Sequence, residues 1–77
     1  MSNFSGNQIN PAKLLLSKWT AVVPRNKEKH FLVSAVNKDE EGVVLSCTLE
    51  AVLTGNIYEI DWKTLKDNTC WSAGWLS

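Results

Sequence analysis

The chain has 77 residues, 44% hydrophobic and 21% charged, with eight basic and eight acidic side chains and no formal net charge. That is enough for one domain with one core, near the size at which stability becomes marginal. Two cysteines exclude a disulfide framework, and no apolar run approaches membrane-spanning length.

The charges are sorted along the chain. Residues 1–38 carry Lys13, Lys18, Arg25, Lys27, Lys29 and Lys38 against Glu28, a net of +5. Residues 39–77 carry Lys63 and Lys66 against seven acids, a net of −5. Basic strands paired with acidic ones would explain this most simply. The alternative is a basic face that meets a polyanion.

Residues 1–8, rich in Ser, Asn and Gly, predict a disordered tail ahead of a single domain over 9–77. This polar start has no basic segment followed by an apolar stretch, which argues against a secretory signal. A cytoplasmic protein is expected.

Asn10 and Pro11 read as a helix cap and a first-turn proline. They predict a short helix over 12–17, whose leucines Leu14, Leu15 and Leu16 must dock to be stable. Residues 19–23 are aromatic and β-branched and predict a strand, ended by Pro24 and the polar turn Arg25-Asn26-Lys27-Glu28. Residues 30–37 predict a second strand with Phe31, Val33 and Ala35 on one face. Asp39-Glu40-Glu41-Gly42 follows as a turn, with Gly42 in the left-handed position of a three-residue loop.

Residues 43–54 alternate. Val43, Leu45, Cys47, Leu49, Ala51 and Leu53 form an apolar set at spacing two, which predicts a strand with one buried face. Gly55-Asn56 predicts a two-residue hairpin loop. That register sets Leu53 against Tyr58, Ala51 against Ile60 and Leu49 against Trp62. The preceding turn pairs Ala35 with Cys47, Val33 with Leu49 and Phe31 with Ala51. Leu32, Val36, Val44 and Val52 then form a second apolar patch on the opposite face. Residues 61–67 predict one helical turn, with Trp62 and Leu65 on one side, and 70–76 a final short strand or ordered tail. The fold expected is mainly β: an antiparallel meander of four or five strands, curled as an SH3-like barrel or left as a curved sheet covered by the N-terminal helix.

Four tryptophans stand out in so short a chain: Trp19, Trp62, Trp71 and Trp75. Burying one such ring removes about 150–250 Å² from water, an upper value of about 4–6 kcal/mol. The rings are therefore either the core or a stacking surface.

Several segments resemble a family of short tryptophan-rich bacterial proteins. They are Asn10-Pro11-Ala12-Lys13-Leu14-Leu15, Ser17-Lys18-Trp19-Thr20-Ala21, Glu28-Lys29-His30-Phe31, Glu50-Ala51-Val52-Leu53-Thr54, Trp62 through Leu65 to Asp67, and Trp71 with Gly74-Trp75. The resemblance spans roughly residues 9–76. It implies a stand-alone small bacterial protein. The family carries no assigned activity, so the resemblance supplies no functional residues.

Catalysis finds few candidates. His30 is the single histidine, and the predicted strands place it on the face opposite Cys47. The carboxylates Glu50, Glu59 and Asp61 fall on a solvated hairpin face. His30, Cys47 and Cys70 match no metal-ligand spacing, so no metal or cofactor is expected. Whether the two cysteines pair is left open, with free thiols favoured. The expectation is a non-enzymatic binding module. Its candidate residues are Trp19, Arg25, Lys27 and Lys29, a basic-aromatic surface for nucleic acid, above all RNA. Trp71 and Trp75 are the candidates for docking a protein partner, as is an open sheet edge. No membrane partner is expected, and the oligomeric state stays open.

Overall fold

The computed structural model describes residues 6–76. Five strands form one antiparallel sheet: β1 (Lys18–Arg25), β2 (Glu28–Lys38), β3 (Val44–Ala51), β4 (Ile57–Ile60) and β5 (Trp71–Ala73). Their spatial order is β4-β3-β2-β1-β5. The expected mainly-β meander is what forms. The sheet does not close into a barrel, because β4 and β5 remain its two edges.

Most of the tail expected over 1–8 lies outside the described residues. Within them, Asn7 is tied in by three bonds: its N–H donates to Lys66 O, and its Nδ2 to Leu65 O and Trp71 O, each at 2.8 Å. Asn10 caps the next turn as expected, its Oδ1 accepting from Ala12 N at 3.0 Å with Pro11 behind it. The helix is shorter than predicted, a 3-10 turn over Pro11–Lys13. Leu16 adopts a φ of 67° and its N–H donates to Val33 O, which steers the chain straight into β1. Of the three leucines only Leu14 docks; Leu15 and Leu16 are exposed.

The β1–β2 turn forms where it was read, with Asn26 and Lys27 at φ 55° and 61°, the left-handed pair of a tight two-residue hairpin. Pro24 does not end β1. It lies between Thr20 and Arg25, where the ladder to β2 is interrupted, so its missing N–H breaks no pairing. The β2–β3 loop also matches. Asp39 pairs with Val43 across Glu40-Glu41-Gly42, and Gly42 sits at φ 86°.

Two bulges correct the predicted faces of β2 and β3. Phe31 faces Ala51 and Val33 faces Leu49 as expected, but Ser34 is an extra residue, so Val36 rather than Ala35 meets Cys47. Val36 therefore packs against the core while Ala35 is exposed. A second irregularity inserts Leu45, which turns Val44 toward the core and leaves Val43 and Leu45 exposed. Alternation alone carries no mark of either insertion. The second apolar patch predicted from Val36 and Val44 is thereby dissolved.

The β3–β4 register is also corrected. Leu49 faces Tyr58 and Cys47 faces Ile60, four residues away from the two-residue-loop alignment. The shift is even, so the apolar faces still coincide. Residues 52–56 form the loop, closed by Ala51 N–H to Asn56 O and Gly55 N–H to Ala51 O, both 2.8 Å.

Nine residues form the core on one face: Leu14, Trp19, Phe31, Val33, Cys47, Leu49, Ala51, Trp62 and Leu65. A 3-10 helix at Trp62–Lys66, capped by Asp61 Oδ1 on Lys63 N at 3.0 Å, lays Trp62 and Leu65 over the sheet. The expected pairing of basic with acidic strands is not found. Across the ladders of the described residues, only Arg25 opposite Glu28 sets a cation against an acid. At the two ends of β2, Arg25 and Lys27 share one hairpin tip with Glu28, and Asp39, Glu40 and Glu41 share the other with Lys38.

Candidate functional site

Leu14, Trp62 and Leu65 cover one part of the core face. The rest is an open cleft of about 540 Å³, within the range of ligand pockets. Ala21, Phe31 and Leu49 make its floor. Tyr58 and Ile60 of β4 stand along one side, and Thr69, Cys70 and Trp71 along the other. Val23, Arg25, Asn26 and Glu28, from the first hairpin, close one end.

The aromatic rings hold one another in place. Phe31 meets Trp71 edge-to-face at 5.2 Å and 84°, and Tyr58 at 6.3 Å and 62°. Tyr58 is fixed further by its hydroxyl, which donates to Glu28 Oε1 at 2.6 Å. The other carboxylate oxygen of Glu28 accepts from Thr54 Oγ1 at 2.5 Å and Asn56 Nδ2 at 2.8 Å. These bonds, that from Thr54 foremost, hold the Glu28 carboxyl below its ordinary value of 4.5. The same carboxylate, as acceptor, pushes the Tyr58 phenol upward. Glu28 is thus an ionised anchor that ties the β3–β4 loop, through Thr54 and Asn56, to the start of β2.

On the opposite wall, Asp67 Oδ1 accepts from Thr69 N and Oγ1 at 2.9 and 2.6 Å, and these bonds hold its carboxyl low. Cys70 is a free, exposed thiol at the rim. Cys47 is free and buried, and burial pushes its thiol up to about 11. His30 belongs to the other side of the sheet, where its Nε2–H donates to Leu76 O at 2.6 Å. Thiol and imidazole therefore do not meet. Among the described residues no three His, Cys, Asp or Glu side chains gather as metal ligands do. Among the described residues no helix is long and apolar enough to cross a membrane.

The residues singled out in the sequence are dispersed. Trp19 is 4% exposed, and its Nε1–H donates to Ser17 Oγ at 2.8 Å, so its ring offers no stacking face. Arg25 lines the cleft, with Lys27 in the adjacent turn. Lys29 is half-buried on β2 and lies outside the cleft. Trp71 is half-buried in the cleft wall. Trp75 crosses the back of the sheet, where its Nε1–H donates to Phe31 O at 2.9 Å and the Lys18 ammonium lies 4.8 Å from its ring centroid. Phe31, Tyr58, Ile60 and Glu28 were missed as site residues. Tyr58 is the single tyrosine, which is a signal; Glu28 had none, since its partners lie 26 to 30 residues away.

A five-stranded open sheet with an aromatic cleft on its core face defines a small all-β domain. Residues 17–76 match the family described as Tryptophan-rich protein (DUF2389), and the chain belongs to that family. The match takes in all five strands and all four tryptophans. No curated protein and no solved structure matches the chain.

Proposed function

We propose that this domain acts by binding, without catalysis, and that it takes an apolar side chain of a protein partner into the cleft. One observation carries the reading: a cleft of about 540 Å³ walled by the half-buried Trp71 ring. An unfilled aromatic cleft forfeits packing contacts on its open side, which a partner would restore. Its lining supplies Trp71, Tyr58 and Arg25, the three residue types most enriched among binding hot spots. The free thiols of Cys47 and Cys70 favour a reducing compartment, which for this reading is the cytoplasm.

A second reading, single-stranded RNA, draws support from Arg25 in the cleft lining and Lys27 in the turn beside it. It fares less well on charge. A polyanion is held by many phosphate contacts, whereas Arg25 is the one cation lining this cleft and Asp67 lies beside its far wall.

Immobilised wild-type chain, Trp71→Ala and Trp75→Ala, each checked for folding by circular dichroism, separate these readings. A protein retained by wild type and by Trp75→Ala, but reduced about tenfold by Trp71→Ala, is the expected result. Loss with Trp75→Ala alone moves the site to the back of the sheet. Quenching by oligouridylate that fades steeply with salt would replace the protein reading with RNA.

A further inference from the structure

The cleft and the sheet edge are continuous. Tyr58 and Ile60 wall the cleft and are also alternate residues of β4, one of the two edge strands. We infer that the partner binds as an extended peptide added to β4 as a sixth strand, with every second side chain entering the cleft and an acidic residue meeting Arg25. This rests on the reading of the cleft as a protein-docking site.

The two edges of the sheet differ. β5 has three residues, and beyond it Gly74, at φ 83°, turns the chain back over the sheet. On its outer side Trp71 N–H donates to Asp67 O at 3.0 Å and Trp71 O accepts from Asn7 Nδ2 at 2.8 Å, so the outward groups of Trp71 are already bonded. β4 has no such guard. Its four residues, Ile57-Tyr58-Glu59-Ile60, contain no lysine, proline or bulge, and the carboxylate of Glu59, its one charge, is engaged by Asn37 and Ser46 on the face away from the cleft. Ile57 is 65% exposed and Tyr58 39%.

The hydrogen-bond pattern fixes which groups the edge offers. The bond from Ala51 N–H to Asn56 O makes 51 and 56 a bonded pair. By alternation 49 with 58 and 47 with 60 are bonded as well, so the N–H and C=O groups of Ile57 and Glu59 point away from β3. An added strand bonds to those groups, and its side chains alternate between the two faces of the sheet. Those on the core face fall beside Tyr58 and Ile60, over the apolar floor.

Charge selects the peptide. Arg25 is the cation lining the cleft, Lys27 is in the same turn, and Glu28 is already saturated by three donors. Among the described residues the Arg25 guanidinium has no hydrogen-bond or ion-pair partner. The matching ligand is an extended segment with apolar residues at spacing two and a flanking Asp or Glu.

The test selects binders to the intact chain from a phage-displayed random dodecapeptide library and remakes the best as a synthetic peptide. The expected peptide alternates apolar residues beside an acid, and its binding slows solvent exchange of the Ile57 and Glu59 amides. Ile57→Pro, which removes an outward N–H at a strand's first residue and leaves the β3 ladder intact, weakens it at least about tenfold. A chemically synthesised chain N-methylated at Glu59 does the same with every side chain in place. Binding lost with Trp71→Ala but indifferent to both edge variants would overturn strand addition and leave the cleft reading standing. Binding indifferent to Trp71→Ala, or no peptide selected, would overturn both.

Discussion

The carboxylate of Glu28 accepts from Thr54, Asn56 and Tyr58, and so joins the start of β2 to the far side of the sheet. A carboxyl held low in the folded state favours folding at pH above its unfolded value. That contribution disappears as the pH falls through the lower folded value. Glu28→Gln has nearly the same shape but exchanges an acceptor oxygen for a donor. At pH 7 its urea midpoint should fall below that of wild type. Below the ordinary carboxyl value of 4.5 the two midpoints should converge as the wild-type group protonates. Parallel curves across the whole pH range would show that Glu28 is not the anchor described. None of this was legible locally, because an acid in a polar turn reads as solvated surface.

At the scale of elements, turn chemistry read more faithfully than strand register. Asn10 caps its turn and Gly42 takes its left-handed place, each through contacts within a few residues. The faces of β2 went astray at Ser34, because a bulge is settled by packing on both sides of the strand. Ala35→Asp and Val36→Asp test this directly. The first places a carboxylate in solvent and should change stability by less than about 0.5 kcal/mol. The second drives a charge toward Cys47 and should leave the chain largely unfolded by circular dichroism. Equal tolerance at the two positions would restore the unbulged register.

The whole molecule is a thin slab, 36 × 35 × 15 Å, with nine buried residues in its core. Leu65 is fully buried and is one of two core residues on the covering 3-10 helix. Leu65→Ala should cost about 2–5 kcal/mol, a large share of the stability of a domain this size, and shift the urea midpoint accordingly. A loss below 1 kcal/mol would mean that the helix is not part of the cooperative core. The slab leaves part of its apolar face and one strand edge uncovered.

Local chemistry settled the mainly-β class, the central three-strand meander, the Asn10 cap, the first two turns and the inward alternation of Cys47, Leu49 and Ala51. Each follows from side-chain periodicity or from a residue's backbone preference, which act over a few positions. Tertiary structure alone decided the two bulges, the four-residue shift of β4, the burial of Trp19 and the opposite fates of Trp71 and Trp75. These depend on which distant groups compete for one space or one hydrogen bond. An edge-to-face contact with Phe31 keeps Trp71 in the cleft, and a bond to the Phe31 carbonyl holds Trp75 across the back.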